Sequence, residues 1–151
     1  MINDKRLTQR LLNYWNNLRK DLVLPQFEQF NSGAISDIIE NCCIWSIDIS
    51  TNSQDKNKVY TYQFVGNSIK EAIGKDMTGH IVSSHLKKFP AARIINKVDN
   101  AIETKSPFSD EGQFINEKDK LVKYRSCLLP FGNSDGSKVS HILLGLSWNS
   151  F

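Results

Sequence analysis

The sequence predicts an α+β fold, a five-stranded antiparallel sheet with central helices on one face and an amphipathic helix at its N-terminus. Three observations carry that expectation. Two strand-like runs open the body of the chain, three more fill its last third, and a helical stretch lies between the two groups. Turn chemistry separates the last three strands, and a polar run separates the first two, which favours hairpins over parallel crossovers. At 151 residues, 40% apolar and 23% charged, the chain has the size and composition of one globular domain with one core.

From Asp4 to about Leu22 the apolar residues Leu7, Leu11, Tyr14, Trp15, Leu18 and Leu22 recur at spacings of three and four, which places them on one helical face. Pro25 stops the helix, so residues 1–25 are expected as an N-terminal amphipathic helix and 26–151 as the domain proper. Gly33 punctuates the next stretch, and Ile35, Ile38 and Ile39 point to a short helix capped by Asn31 or Ser32. Cys43 to Ile49 alternates as a strand, with Cys43, Trp45, Ile47 and Ile49 on one face. The polar run from Ser50 to Lys58 is its hairpin loop. Val59 to Val65 is aromatic and β-branched, with Tyr60, Tyr62 and Phe64 sharing a face.

A short helix is expected from Asn67 to Ile73, closed by Gly74 in the left-handed cap position, with a further turn at Thr78-Gly79. After Pro90, Ala91 to Thr104 carries Ile94, Ile95, Val98, Ala101 and Ile102 on one helical face. Phe108 to Ile115, Leu121 to Leu129 and Val139 to Trp148 complete the sheet, separated by Asn116-Glu117-Lys118-Asp119 and Gly132-Asn133-Ser134-Asp135-Gly136.

Several pieces recur in a fixed order: Tyr14-Trp15 with Leu18-Arg19 and Leu24-Pro25, then Tyr62-Gln63-Phe64-Val65-Gly66, Gly74-Lys75-Asp76-Met77-Thr78-Gly79, and Leu128-Leu129-Pro130-Phe131. In that order and spacing the sequence resembles the bacterial PAS-like family with an N-terminal Tyr-Trp helix, over nearly its whole length. The resemblance implies a PAS-like five-stranded sheet, cupped over a pocket beneath the middle helices, and a role in signal transduction as a sensor. The chain departs from the family pattern where arginines are expected, having Gln26, Phe27, Thr61 and Gln63 there.

PAS domains that carry haem use a histidine on or near the central helix, and Ala91 to Thr104 contains none, the nearest being His80 and His85. Flavin photoreceptors of the class attach through a cysteine of an Asn-Cys-Arg motif on the helix after the second strand. Here Asn41-Cys42-Cys43 precedes the first strand and lacks the arginine, so haem and covalent flavin are both disfavoured and the cofactor is left unassigned. Cys42, Cys43 and Cys127 form neither an even disulfide framework nor a C-x-x-C pair, which fits a reducing compartment. They are expected as buried structural thiols, with a redox-sensing pair as the alternative.

The ligand-pocket candidates are the aromatic residues Trp45, Tyr60, Tyr62, Phe64 and Tyr124, which would equally fill a core, and the polar residues Arg93, Arg125 and His141. Lys123 and Arg125 share a face of one strand and Val139, His141 and Leu143 a face of the next, a set that could hold an anion or simply line a wetted sheet face. Leu7, Leu11, Trp15 and Leu18 are either a dimer or partner surface or the inner stripe of a helix packed on its own sheet.

A net charge of +3, with basic and acidic residues interspersed, disfavours nucleic acid as a partner. There is no apolar span of membrane length and no secretory h-region, so a cytoplasmic location is expected. No phosphate loop, H-E-x-x-H or G-x-S-x-G motif is present, and no metal site is expected. The reading is therefore a non-enzymatic sensory or adaptor module acting by protein–protein interaction, as a homodimer, with a small apolar or anionic ligand as a further partner. Because no kinase, cyclase or DNA-binding segment follows the last strand, its output is expected to pass through a protein partner. The alternative is a small cone-fold enzyme or carrier of the ketosteroid-isomerase type, with Asp48, Tyr60 or His141 as the acid/base group.

Overall fold

A computed structural model describes residues 4–49, 58–82 and 92–151. The elements are α1 (Asp4–Arg19), β1 (Cys42–Ile49), β2 (Lys58–Val65), α2 (Asn67–Ile73), α3 (Ala92–Thr104), β3 (Phe108–Ile115), β4 (Leu121–Gly132) and β5 (Val139–Ser150). The five strands form one sheet in the order β2-β1-β5-β4-β3, and every neighbouring pair is antiparallel. The final three strands are a meander, and β5 then pairs back onto β1 to close the sheet's centre.

Both faces of this sheet are buried along its centre. On the inner face α2 and α3 cover Cys43, Trp45, Tyr60, Tyr62, Tyr124, Leu144 and Trp148. On the outer face α1 and the turns after it cover Cys42, Ile44, Cys127, Leu129, Phe131 and Leu143. The outer face is thus not wetted along its centre, where His141 is partly buried, whereas Lys123 and Arg125 at the other end of β4 are exposed, as a polar outer face requires. The apolar stripe of α1 is what closes that face.

Leu7, Leu11 and Trp15 are 2%, 0% and 3% exposed and Leu18 is partly buried, all of them packed on the chain's own sheet. The Trp15 indole Nε1 donates to the Pro130 carbonyl at 2.7 Å, fixing the helix against the end of β4. The helix is shorter than its periodicity predicts. Lys20 takes a left-handed conformation (φ 50°), and Arg19 donates to Asn16 Oδ1 and to the Leu22 carbonyl. The chain leaves the helical path there, five residues before Pro25, and Leu22 swings out to 53% exposure.

Close approach of α1 depends on what lies beneath it. Gly145 of β5 is paired on one side with Cys42 of β1 and on the other with Cys127 of β4, so three small residues make a shallow trough across the sheet. A Cβ at position 145 would lie 2.2 Å from Leu11 Cδ1 and 3.5 Å from Leu7. The two flanking cysteines stand two strand spacings apart, roughly 9–10 Å, beyond disulfide reach. Their thiols are pushed up to about 12 by burial, with Cys127 adding to the rise at Cys42. Cys43 points to the opposite face, so the adjacent pair is not a redox pair in this geometry.

One register detail overturns a sequence expectation. Ile44 pairs with Phe64 while Trp45 pairs with Tyr62, which leaves Gln63 as the extra residue of a β-bulge. Tyr60 and Tyr62 face inward as their alternation predicts, but the bulge turns Phe64 to the outer cluster. Beyond it Gly66 donates to the Cys42 carbonyl at 2.8 Å, and a Cβ there would sit 2.4 Å from the Glu40 carbonyl oxygen and 2.5 Å from that of Ile39. Gly74 closes α2 at φ 87° as expected. The short-helix signal around Ile35 resolves into tight 3₁₀ turns, Ser32–Ile35 and Ile39–Asn41, the first capped by the Asn31 side chain accepting from Gly33. The hairpin loop 50–57 and residues 83–91, with His85 among them, lie outside the described residues.

These close contacts set an order of mutational cost. Backbone oxygens cannot rotate out of the way, whereas Leu11 can adjust slightly at the expense of its packing. Gly66→Ala is expected to cost about 3 kcal/mol and Gly145→Ala about 1–2 kcal/mol. Urea midpoints with unchanged m-values would establish both, and a Gly145→Ala cost equal to or above that of Gly66→Ala would contradict the packing described.

Candidate functional site

Beneath α2 and α3 the inner face encloses a small cavity of about 40 Å³. Its floor is Cys43 and Trp45 of β1, Tyr62 of β2, Tyr124 of β4 and Leu144 and Leu146 of β5, and its roof is Ile69 and Ile73 of α2 and Ile94 of α3, with Gln113 and Phe114 at the β3 side. The strand alternation that aims every second residue inward, interrupted in β2 at the Gln63 bulge, is what gathers these side chains. Among the described residues no charged side chain lines it.

Trp45 is the centre of the aromatic set. It lies 5.5 Å from Tyr60 in a tilted contact and 5.9 Å from Tyr62 edge to face, while Phe114 and Tyr124 stand 5.9 Å apart. Of the three tryptophans, Trp15 donates to Pro130 and Trp148 donates to Ser68 Oγ at 3.0 Å. The Trp45 Nε1 is buried beside the Cys43 thiol, a weak acceptor whose pKa this contact lowers against the larger rise from burial.

The other polar groups of the inner face are satisfied or inert. Tyr60 donates to the Asp99 carboxylate of α3, tying the sheet edge to the central helix, and burial together with that carboxylate raises its phenol far above the usual range. Burial raises Tyr62 and Cys43 as well. None of these groups is poised to exchange a proton near neutral pH. Ser68 also accepts from Asn41 Nδ2, which reaches the Leu146 carbonyl too. Asn116 donates to the Ala72 carbonyl and accepts from Lys118 and Lys120, holding the β3–β4 turn against the end of α2. These two asparagines are ordinary polar residues in sequence, and only the fold shows that they brace the cavity roof.

The structure does not bring the remaining candidates to this cavity. His141 lies on the outer face, stacked on Phe27 at 3.6 Å, with Nε2 donating to Gln63 Oε1 at 3.0 Å and Nδ1 accepting from Ser140 at 2.8 Å. Burial lowers its pKa, against an opposing pull from Asp48, so the ring is held neutral. Arg125 is also on the outer side but pairs in register with Ser147, whereas His141 pairs with Phe131. Six residues of strand therefore separate the two along β4, roughly 20 Å. Arg125 instead meets Glu111 across the neighbouring strand at 3.5 Å. The anion set of Lys123, Arg125 and His141 is thus not assembled. Phe64 is removed from the pocket by the bulge, and Arg93 stands in the first turn of α3 with its side chain outside the described residues.

Gln26, Phe27 and Gln63, three of the positions where arginines are expected, gather on the outer face. Phe27 and Gln63 hold His141, and Gln26 Nε2 donates to the Ser134 carbonyl at 2.7 Å. A second concavity is an open groove of about 900 Å³ between α1 and the β3–β4 hairpin, with Lys5, Leu12, Asp110, Glu111 and Arg125 among its walls. Its charges are of both signs. Among the described residues no three His, Cys, Asp or Glu side chains gather as a metal site, and no helix is long and apolar enough to cross a membrane.

The acid/base candidates of an enzyme are likewise dispersed. Tyr60 faces inward, away from the other two, while exposed Asp48 lies near His141 on the outer side. A flavin or haem does not fit the inner cavity as the described residues enclose it, since sites for molecules of that size run to roughly 300–1,000 Å³.

Comparison with solved structures agrees with the strand order. The chain is similar to a light–oxygen–voltage domain characterised with a flavin analogue, at 11% identity and a TM-score of 0.57 over 78% of this chain and 83% of that one. It is also similar to the PAS domain of a Colwellia psychrerythraea protein, at 10% identity and a TM-score of 0.52 over 80% and 98% of the two chains. A sensory box sensor histidine kinase from Vibrio cholerae matches at 16% identity and a TM-score of 0.50, over 78% and 90%. No curated protein matches the sequence. At these identities the likeness is one of fold, but a family model described as a PAS domain matches residues 3–146. With the β2-β1-β5-β4-β3 sheet and nearly the whole chain matched, the protein belongs to the PAS domain family.

Proposed function

We propose that the chain is a cytoplasmic sensory or adaptor module that acts in signal transduction by protein–protein interaction, its output carried by a partner. The observation that supports this best is the inner cavity, which is small, aromatic and lined by no charged group among the described residues. Such a site can hold a small molecule or stay packed, but it offers no nucleophile or general base in position for a reaction. The fold shared with a sensor histidine kinase domain supports the same reading.

Homodimerisation belongs to the proposal in altered form. The stripe of Leu7, Leu11, Trp15 and Leu18 is spent on the chain's own sheet, so a second copy would have to use another surface. Light scattering of the intact chain is expected to give twice its mass, and a monomer at high concentration removes the homodimer.

The partner is tested by photo-crosslinking in cells from exposed positions spread over the surface, such as Arg6, Lys75, Glu111 and Lys138. Adducts confined to one face, and to one protein bearing an output domain such as a kinase, cyclase or DNA-binding domain, are the expected outcome. Equal adducts from every position, or turnover of a small substrate by the pure protein, would contradict the reading.

A further inference from the structure

The two edges of the sheet are finished differently. Along β2 lie residues 77–81, where the Tyr62 N–H donates to the His80 carbonyl at 3.0 Å, the Gly79 N–H donates to the Tyr62 carbonyl at 2.7 Å, and Thr61 bridges to Ile81. At the other edge β3 pairs with β4 through all 8 of its residues without a bulge, and no described residue bonds to its main chain on the far side. Natural sheets guard a bare edge with proline, lysine or a bulge. The strand Phe-Ser-Asp-Glu-Gly-Gln-Phe-Ile has none of the three.

The phase of the ladder fixes what that edge offers. The Asn116 N–H donates to the Lys120 carbonyl across the β3–β4 turn, and on the far side of β4 the Phe151 N–H donates to the Leu121 carbonyl. Leu121 therefore turns its main-chain groups toward β5, and its partner Ile115 turns its own away from the sheet. Alternation carries this along the strand, so Ser109, Glu111, Gln113 and Ile115, all exposed, present N–H and C=O to the open side.

For a second copy of β3 laid antiparallel on this edge, bonded pairs must join these outward residues, which leaves few registers. A two-fold axis through Asp110 or Glu111 sets that carboxylate against its own copy, a destabilising pair. An axis through Gln113 runs Ser109 past the end of the partner strand. An axis through Gly112 sets Glu111 opposite Gln113, Asp110 opposite Phe114 and Ser109 opposite Ile115, with no like charges face to face. That register makes about eight main-chain hydrogen bonds, and the closest approach of the two chains falls on a residue without a side chain. Arg125, 3.5 Å from Glu111, offsets that carboxylate from within its own subunit. The two acidic residues thus select a register and do not block the edge.

We propose that β3 is the homodimer surface, its free edge pairing antiparallel with that of a second copy about an axis through Gly112 so that two five-stranded sheets become one. The proposal rests on the homodimer reading above and names the surface that reading left open.

Amide exchange in ¹H–¹⁵N spectra, with sedimentation equilibrium on the same intact protein, tests it. An interface of one strand pair lies at or below about 1,200 Å², so a dissociation constant in the micromolar range is expected. As concentration rises through it, the amides of Ser109, Glu111, Gln113 and Ile115 are expected to slow several-fold, and those of Asp110, Gly112 and Phe114, already turned to β4, to respond less. Gln113→Lys meets Glu111 of the second copy twice and is expected to tighten the dimer roughly three- to tenfold, while Gln113→Glu weakens it by a similar factor. Equal or reversed effects of the two variants overturn the proposal. A dimer whose four outward amides stay fast also overturns it but leaves the homodimer standing, whereas a monomer at every concentration removes both. Protection gained only when a cross-linked partner is added to a monomeric chain overturns the second copy as the occupant of the edge.

Discussion

Where α1 crosses the sheet, Leu11 occupies the space that a side chain at position 145 would fill. That single vacancy, flanked by the short side chains of Cys42 and Cys127, lets the helix lie close enough to bury Leu7, Leu11 and Trp15 completely. Each such side chain contributes about 1.5–3 kcal/mol through burial, so the trough decides whether the outer face is a core or an exposed apolar sheet. The three cysteines lose their chemical interest in the same step. Two are floor tiles under a helix and the third faces the inner cluster, all with thiols held protonated by burial.

With the outer face sealed by the chain's own helix, the central strands β1 and β5 are buried from both sides, and function is pushed to what remains. On the inner side that is a cavity defined by aromatic rings and aliphatic helix residues, rigidly braced. Tyr60 ties β2 to Asp99 of α3, Ser68 links α2 to Asn41 and Trp148, and Asn116 holds the β3–β4 turn to the end of α2. The outer groove offers the opposite character, open and lined by charges of both signs.

Much of this was legible in the residues. The strand from Phe108 to Ile115, the helix from Asn67 to Ile73 with its Gly74 cap, and the start of every other strand to within a residue follow from periodicity and turn chemistry. The aromatic lining was legible too, because Trp45, Tyr62 and Tyr124 alternate inward as strand geometry requires. What escaped were effects of tertiary register. Phe64 shares parity with Tyr60 and Tyr62, and only the Gln63 bulge, set by how β2 pairs with β1, turns it outward. His141 and Arg125 lie on neighbouring strands on the same side of the sheet, yet the β4–β5 register puts them at opposite ends of it. The last turn of α1 failed for a local reason, since Lys20 adopts a left-handed conformation that no periodicity announces. The trough at Gly145 is invisible in sequence because Cys42 comes from a strand far in the chain from Cys127 and Gly145.

The central claim is that α1 is an integral layer of the domain, not an appended helix with a stripe to offer to others. Native-state hydrogen exchange measures this directly. If α1 is locked in the trough, amides from Leu11 to Leu18 open only with the global unfolding free energy shown by the central strand β5. Exchange of those amides well ahead of β5, with the sheet still protected, would show a helix that undocks by itself and would contradict the account.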